Sequence, residues 1–437
     1  MLLSSGRSNR SSSDAALATA VLVVCSAAAV WWQRTRQLKQ RQERLNAPAL
    51  PPLSILEFQA AAAQQASKLA QIYVNYFDGQ GHTLTAARAF FQNLRLLPSI
   101  LQGDLTEVDT TLEIFGETLR MPVLIAPTAF HNLTCDEGEI ATARGCGQAG
   151  AGYSYNWMLS SKPYTDVIKE PGVKWLQMYM FDERDMVAES IRMAERTGAF
   201  SAILLTCDHP HVRVQNRMVP SFVQHMTVPK DGAAADEYFC PNQVAAGGSP
   251  VTIKKLLSTT AGDDIGSTGT NSYKLSWFDV AWIKSLTDLP VVVKGVLSPA
   301  DAVAAMQAGA AAIVVSNHGG RQFDGAPPAI EVLPAIVAAV EGGIPVFVDS
   351  GIRTATDILK ALCLGASGVM LGRPALWALS CGGSDALQRM LDHLRQDLTD
   401  DMRSLGVRSI KELNKTFLYA PDRERIEKDV NLVLLKN

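Results

Sequence analysis

A histidine and an arginine stand three residues apart in residues 316–324, which read S-N-H-G-G-R-Q-F-D. His318 can accept a proton near neutral pH, and Arg321 can hold a carboxylate through two parallel hydrogen bonds. The two glycines between them let both side chains turn into one pocket. A histidine by itself would more often be structural, but this pairing predicts an acidic substrate whose neighbouring carbon carries the group to be oxidised.

Two arginine-bearing turns come later in the chain: V-D-S-G-I-R, ending at Arg353, and M-L-G-R-P, which contains Arg373. Small residues let backbone N–H groups approach an anion, helix N-termini favour negative charge, and guanidinium groups bond phosphate oxygens. One such turn would indicate only a tight turn, whereas two in succession predict a phosphate site. Lys294, at the end of the run P-V-V-V-K, would add a fixed cation that stabilises a reduced flavin. The alternative is a lysine whose stem covers apolar surface.

Rigid strands are needed to hold these residues, and beyond residue 120 one pattern repeats. A short apolar run, a polar turn and an Ala/Leu-rich amphipathic stretch are typical of parallel strands covered by helices on both faces. Eight repeats in about 250 residues predict an α/β fold of the (β/α)8 or TIM-barrel type, with the active site at the carboxyl ends of the strands. A doubly wound sheet is disfavoured because no G-x-G-x-x-G follows the first strand. The predicted strands are 122–128, 150–155, 174–179, 202–208, 290–296, 311–318, 345–351 and 368–374.

Composition limits the other classes of function. The 437 residues carry a net charge of −3, with 47% hydrophobic and 19% charged residues, which is typical of a globular protein and gives no indication of nucleic-acid binding. The seven cysteines are scattered and form no C-x-x-C pair. We therefore predict neither a disulfide framework nor a metal site.

The first 45 residues differ from the rest, with seven Lys/Arg against two acids. Residues 15–32 form an uncharged apolar stretch at the lower length limit for a membrane anchor. Trp31 and Trp32 end it and cations follow, which predicts a catalytic body on the cytoplasmic side. The Ser/Arg-rich start is alternatively typical of a plastid or mitochondrial transit peptide, and a cleaved signal or a disordered tail is a third reading.

Residues 46–437 are predicted to form one catalytic domain. Residues 46–120 look helical, the barrel covers about 121–385, and a polar amphipathic helix follows at 385–437. The long connection 209–276, which contains a Gly/Ser/Thr-rich piece, is predicted to be a mobile lid.

The motifs S-N-H-G-G-R-Q-F-D-G, V-F-V-D-S-G-I-R and L-G-R-P resemble those of the FMN-dependent 2-hydroxy-acid oxidase and dehydrogenase family, which includes glycolate and lactate oxidases. The resemblance runs from about residue 73 to the end of the chain. It implies FMN as cofactor and oxidation of an L-2-hydroxy acid to a 2-oxo acid. By matching motif, His318 would be the catalytic base, Asp208 its acidic partner, and Tyr179 the partner of the substrate hydroxyl. Tyr73 and Arg321 would bind the substrate carboxylate.

The resemblance also implies a set of cofactor contacts, from the flavin ring at one end to the phosphate at the other. The implied contacts are Thr128, Ala129, Gln177, Thr206, Lys294, Ser316, Asp349, Ser350, Gly351, Arg353, Gly372 and Arg373.

The chain departs from the family pattern after strand 202–208. The family follows T-x-D-T-P with a glycine and a second carboxylate-binding arginine, whereas this chain reads T-C-D-H-P-H-V-R-V-Q-N-R and is shorter by several residues. Arg213 or Arg217 would fill the role, although plain alignment places Gln215 there. Losing this charge-assisted hydrogen bond would weaken carboxylate binding. In addition, Tyr155 and Asn156 stand where small hydroxyl residues are common.

Several functional alternatives remain open. Trp157, Val212 and Phe130 are predicted to line the pocket for the substrate's substituent, which indicates a small or medium apolar group. The electrons would go to O2, giving H2O2, or to a quinone or cytochrome, which an anchored head would suit. A flavin-binding protein that lost activity at 209–217 is the non-enzymatic alternative. The family's habit predicts a homotetramer, and the ending L-L-K-N lacks the peroxisomal signal S-K-L.

Overall fold

The computed structural model describes residues 51–209, 242 and 275–419. The helices are α1 (Ile55–Gln65), α2 (Lys68–Asn75), α3 (His82–Asn93), α4 (Gly138–Ala149), α5 (Tyr164–Val167), α6 (Arg184–Thr197), α7 (Trp277–Leu286), α8 (Pro299–Gln307), α9 (Ala329–Val340), α10 (Ala355–Cys363) and α11 (Arg373–Leu405). The strands are β1 (Arg95–Leu96), β2 (Leu112–Ile114), β3 (Glu117–Leu119), β4 (Val123–Ile125), β5 (Gly152–Asn156), β6 (Lys174–Met178), β7 (Ala202–Thr206), β8 (Val291–Val296), β9 (Ala312–Val315), β10 (Val346–Val348), β11 (Gly368–Leu371) and β12 (Leu418–Tyr419). Short 3-10 turns cover His131–Leu133, His318–Gly320, Ile410–Glu412 and Lys415–Phe417.

Strands β4 to β11 form a closed parallel barrel, in which β11 pairs with β4 through Met370 and Leu124. All eight predicted strands are present, so the predicted (β/α)8 barrel is confirmed. The observed strands are shorter than predicted, because the polar residues at most of their carboxyl ends lie in loops beyond the last pair of hydrogen-bonded strand residues. His318, for example, lies three residues beyond the end of β9.

Two apolar layers follow from the alternation of side chains along each strand. Inside the barrel, Leu124, Trp175, Val292 and Phe347 are completely buried against one another. The residues between them on the strands face outward and pack against the helices. Burying each of these large side chains contributes about 1.5–3 kcal/mol, so the strands that carry the site are held on both faces.

The β2–β3 hairpin closes the amino-terminal end of the barrel. Phe115, at its turn, places its ring centroid 5.6 Å from that of Trp175 in the barrel interior. The helical prediction for 46–120 is therefore confirmed for α1 to α3 and wrong for the hairpin. The apolar residues of the hairpin pack against residues inside the barrel that are distant in sequence, and the local pattern of apolar residues does not indicate such contacts.

The helical prediction for 385–437 is right as far as the end of α11. It is wrong for residues 407–419, where the chain forms 3-10 turns and then β12, which pairs antiparallel with β1, and residues 420–437 lie outside the described residues. The predicted lid over 209–276 lies almost entirely outside the described residues, as does the predicted anchor at 15–32. Within the described part of the chain, no helix is long and apolar enough to cross a membrane.

Candidate active site

A cavity opens at the carboxyl ends of the barrel strands, where the fold predicts the active site. Gln177, Thr206 and Ser316 are buried beside it, the side chain of Asp208 is 11% exposed, and Arg213 lies outside the described residues. The predicted site residues that line the cavity are Tyr73, Thr128, Ala129, Tyr179, Lys294, His318, Arg321, Asp349, Ser350, Gly351, Arg353, Gly372 and Arg373.

His318 and Asp208 form a hydrogen-bonded pair at this rim. The loop after β9 turns at His318, whose φ is 56°, and its backbone N–H donates to Ser316 Oγ at 3.1 Å. His318 Nδ1 lies 2.8 Å from Asp208 Oδ1. Asp208 can come this close to β8 because Gly295 has no side chain: a Cβ there would stand 2.5 Å from that of Asp208.

The charge states follow from this pairing. Burial alone would raise the pKa of Asp208, but the charges of Lys294 and His318 outweigh it and hold that pKa well below the ordinary carboxyl value. Burial lowers the pKa of His318 below 6.5 in spite of the neighbouring Asp208. At neutral pH Asp208 is therefore anionic and His318 neutral. Its Nδ1–H donates to Asp208, which leaves Nε2 as the proton acceptor.

Lys294 joins this pair to the loop after β10. Its Nζ donates to Asp208 Oδ2 at 3.1 Å and lies 3.9 Å from Asp349 Oδ2. The Asp349 carboxylate also accepts hydrogen bonds from Ser316 Oγ at 2.8 Å and from Ser350 Oγ at 2.6 Å. Burial would lower the pKa of Lys294, but the two carboxylates outweigh it and raise that pKa. The alternative of a surface lysine is thus wrong, because Lys294 is a buried, ion-paired cation.

Arg321 and two tyrosines of the N-terminal helical segment build the next part of the wall. The guanidinium carbon of Arg321 lies 5.1 Å from the ring centroid of Tyr73 and 5.4 Å from that of Tyr76. Arg321 Nη1 also donates to the Tyr73 carbonyl at 2.9 Å. Burial raises the pKa of the Tyr73 phenol, which stays neutral. A cation and a neutral phenol at one place can receive a carboxylate.

Tyr179 and His209 lie next to His318 on the cavity wall. Tyr179 follows β6, and burial is the main cause that raises its pKa well above 10, so its hydroxyl is a hydrogen-bond donor at neutral pH. The ring centroid of His209 lies 5.5 Å from that of Tyr179 and 5.4 Å from that of His318. A neutral donor and a neutral proton acceptor on one cavity wall suit removal of a proton from a hydroxyl group.

The loops after β10 and β11 bring two buried arginines to the other end of the cavity. Burial and the repulsion of neighbouring cations lower the pKa of Arg353 to about 10 and that of Arg373 to about 9. Arg373 donates to the carbonyls of Val74, Gly319 and Tyr76 at 2.8–3.0 Å. Two confined cations without a carboxylate partner among the described residues suit a phosphate.

Gln177 provides the clearest test of whether a flavin ring fits between these two ends. Its Nε2 donates to Thr206 Oγ1 at 3.0 Å and to the Met178 carbonyl at 2.9 Å. Its Oε1 is buried and has no hydrogen-bond partner in the described chain. A buried acceptor of this kind is costly unless a ligand N–H meets it, and a flavin ring offers one. The donor and acceptor set therefore fits FMN.

His131 was not predicted from the sequence, yet its ring contacts Thr128 of the cavity wall. Thr128 Oγ1 and His131 Nε2 are 2.6 Å apart, and His131 Nδ1 lies 2.7 Å from Thr142 Oγ1. Burial lowers the pKa of His131, so this ring is neutral. Nothing in the sequence marked it, because its partner Thr142 comes from α4, eleven residues away.

His209 and Tyr76 were also missed. His209 could have been found, because it follows Asp208 directly in the loop after a barrel strand. Tyr76 contributes through its backbone carbonyl, which accepts from Arg373, and side-chain type carries no signal for such a contact.

The predictions about the pocket lining are mixed. Phe130 lines the cavity, and so does Asn156. Trp157 does not: it is fully buried with its ring centroid 4.8 Å from that of Tyr164, so that prediction is wrong. Tyr155 is likewise directed away, with its hydroxyl bonded to the Lys162 carbonyl at 2.7 Å. Val212 lies outside the described residues.

A parallel barrel with a phosphate-binding end, a buried lysine and a histidine–carboxylate pair defines the class of flavin-dependent TIM-barrel oxidoreductases. The comparisons with known proteins narrow this class. The sequence profile of the family described as "FMN-dependent dehydrogenase" matches residues 62–420.

Similar proteins of known activity cover most of the chain. The glycolate oxidase of Spinacia oleracea is 35% identical over 84% of this chain and 95% of its own length. The L-lactate oxidase of a Nostoc species is 34% identical over 84% of this chain and 98% of its own length. A solved structure of mandelate oxidase with (S)-2-phenylpropionate superposes with a TM-score of 0.71 at 33% identity, covering 84% of this chain and 98% of that one.

The chain therefore belongs to the FMN-dependent dehydrogenase family, as a member of its 2-hydroxy-acid oxidase and dehydrogenase group. It is an oxidoreductase that acts on CH–OH groups, and its cofactor is FMN.

Proposed function

We propose that this enzyme oxidises an L-2-hydroxy acid to the 2-oxo acid and transfers the electrons to O2, giving H2O2. The observation that carries the proposal is the 2.8 Å contact between His318 Nδ1 and Asp208 Oδ1, on the same cavity as Arg321. A neutral imidazole with its second nitrogen available is a base for a hydroxyl proton, and the arginine selects an adjacent carboxylate.

The residues divide the work as follows. Arg321 and Tyr73 bind the substrate carboxylate, and Arg213, outside the described residues, is proposed as a further contact. Tyr179 holds the substrate hydroxyl. His318 Nε2 is the base as the substrate loses its hydroxyl proton and its α-hydrogen, and the two electrons released would pass to FMN. Asp208 keeps the imidazole oriented and stabilises the imidazolium that forms, because it is anionic and already bonded to Nδ1.

When bound, FMN supplies the two-electron acceptor of the reaction. We propose that the ring lies along the wall formed by Thr128, Ala129, Gln177 and Thr206, with Lys294 and Ser316 at its polar edge. Lys294 would stabilise negative charge on the reduced ring, because it is held as a cation by two carboxylates. The proposed ribityl and phosphate contacts are Asp349, Ser350, Gly351, Arg353, Gly372 and Arg373.

The choice of O2 as acceptor is supported by the relatives whose names are glycolate oxidase and L-lactate oxidase. A quinone or cytochrome acceptor is the alternative that an anchor at 15–32 would suit. We further propose a homotetramer, with its catalytic domain on the cytoplasmic side of a membrane or inside an organelle.

Anaerobic titration of the FMN-loaded protein with glycolate, L-lactate and L-mandelate tests the reaction. Loss of the oxidised-flavin absorbance with one of them, followed by full recovery and H2O2 on admission of air, is expected. Recovery only on addition of a quinone would overturn the oxidase assignment. A yellow protein that no 2-hydroxy acid bleaches would contradict the reaction itself.

A further inference from the structure

His209 lies in the cavity but has no part in the reaction as proposed. It is the first residue after Asp208, in the loop that follows β7, and it lines the same cavity as His318 and Tyr179. Its ring centroid is 5.4 Å from that of His318 and 5.5 Å from that of Tyr179. The side chain is thus next to the position where the reacting carbon would be held.

The hydrogen bonding of His209 is incomplete. Its Nδ1 is buried and meets no hydrogen-bond partner in residues 51–209, 242 and 275–419. Burial and the charge of His318 lower the pKa of His209 to about 3, so the ring is neutral at physiological pH. A neutral imidazole offers one donor and one acceptor and cannot replace the charge of an arginine. His209 therefore suits a neutral polar group better than a carboxylate.

The part of the substrate that all 2-hydroxy acids share is already served by other residues. Arg321 and Tyr73 can take the carboxylate, while Tyr179 and His318 can take the hydroxyl and its proton. What remains for His209 is the substituent on the reacting carbon.

We propose that His209 determines substrate specificity by hydrogen bonding to the substituent, so that the preferred 2-hydroxy acid carries a hydroxyl or carbonyl group on its third carbon. This proposal rests on the proposed function. It replaces the apolar pocket expected from the sequence: of the predicted lining, Phe130 is found in the cavity, Trp157 faces elsewhere, and Val212 lies outside the described residues.

The physical reason is the cost of covering an unpaired polar atom. An alkyl substituent packed against His209 Nδ1 would leave this nitrogen without a hydrogen bond to water or to substrate, whereas a hydroxyl group would form one. The expected preference for the hydroxylated substrate is on the order of tenfold to a hundredfold in kcat/KM.

Two substrates of nearly equal size test this directly. L-Glycerate and L-2-hydroxybutanoate differ by a hydroxyl in place of a methyl group on the third carbon. Their kcat/KM ratio is measured for the FMN-loaded protein and for its His209→Phe and His209→Gln variants. We expect the ratio to favour L-glycerate by about tenfold or more in the unaltered protein, to fall close to unity in H209F, and to be partly retained in H209Q.

A binding measurement that needs no turnover accompanies the kinetics. Hydroxypyruvate and 2-oxobutanoate, the corresponding 2-oxo acids, are titrated against the oxidised enzyme and followed through the flavin absorbance. H209F is expected to weaken the binding of hydroxypyruvate more than that of 2-oxobutanoate. His393→Gln, on an exposed face of α11, is the matched control and leaves both ratios unchanged.

The outcomes separate the two proposals. Equal ratios in the unaltered protein and H209F, or an equal loss with both substrates, would overturn the role of His209. If no 2-hydroxy acid reduces the flavin, the proposed reaction is wrong. The relative affinities for hydroxypyruvate and 2-oxobutanoate then still show whether His209 hydrogen bonds to the substituent. The flavin spectrum and Tm of each variant establish that it is folded.

Discussion

The two ends of the cavity differ in how their charges are balanced. The chemical side, which we define as Asp208, Lys294 and His318, contains both signs within hydrogen-bond distance. For Asp208 and Lys294 the effect of pairing on the pKa outweighs that of burial. The phosphate side, defined as Arg353 and Arg373, has two buried cations whose pKa values burial lowers to about 10 and 9. Neither forms an ion pair with a carboxylate of the described residues.

This difference separates what the chain organises alone from what its cofactor completes. The chemical side is electrostatically satisfied by protein groups, so its geometry does not depend on a ligand. The phosphate side holds like charges together at a cost that an anion would offset. We therefore expect FMN to stabilise the fold mainly through the phosphate side, by mass action on the folded state.

The largest effect is expected on the chemical side. Replacing His318 by Gln removes the proposed base, and kcat/KM with the best 2-hydroxy acid should fall by about 10²- to 10⁴-fold, because general-base catalysis contributes on this scale. Flavin absorbance and Tm should stay near those of the unaltered protein, and His393→Gln serves as the control. A loss of less than about tenfold would mean that another group takes the proton.

Stability of the apoprotein distinguishes the two sides next. Lys294→Met leaves Asp208 and Asp349 without their shared cation, and should lower the free energy of unfolding by about 3–5 kcal/mol. Arg353→Met, measured in the same urea titration, should cost much less or stabilise, because it removes an uncompensated buried charge. An equal loss in the free energy of unfolding for both variants would contradict the proposed difference in charge balance between the two sides.

Arg353 should matter more for FMN affinity than for the stability of the apoprotein. Arg353→Met is expected to weaken FMN binding by roughly tenfold to a hundredfold, the worth of one charge-assisted hydrogen bond. Fluorescence titration of the apoprotein with FMN measures this. Riboflavin, which lacks the phosphate, should bind the variant and the unaltered protein alike, and an equal loss for both ligands would place the defect elsewhere.

The smallest expected effect is a displacement of the pH profile. The base must be unprotonated, and the pKa of His318 lies below 6.5, so kcat/KM should hold its value as the pH falls through 6.5 and decline only at lower pH. Asp208 raises that pKa, and Asp208→Asn should therefore move the decline to still lower pH while reducing the plateau. A decline centred above pH 6.5 would contradict this charge balance.

Much of the fold could be predicted from sequence, because parallel strands buried on both faces leave a local mark. Most barrel strands are short runs of apolar residues, and a polar or glycine-bearing turn follows them. The β2–β3 hairpin left no such mark. Its role as a plug depends on Phe115 meeting Trp175, sixty residues away, inside the closed barrel.

Residue type and position along the strands singled out some of the candidate side chains for the chemistry. A histidine, an arginine, a lysine and two small-residue turns at strand ends carry the same meaning in any barrel, since the carboxyl ends of all strands meet at one rim. The sequence by itself thus indicated the barrel and the motifs around His318, Arg353 and Arg373, and its resemblance to the family implied FMN and most of the other candidate site residues.

Only the tertiary structure decided the partners and the orientation of each group. It brought the carbonyls of Val74 and Tyr76 to Arg373, turned Trp157 out of the cavity, and placed His209 beside the base with an unpaired nitrogen. These outcomes depend on distances between residues far apart in the chain and on burial, and both arise only when the closed barrel sets the dielectric and the neighbours of each group.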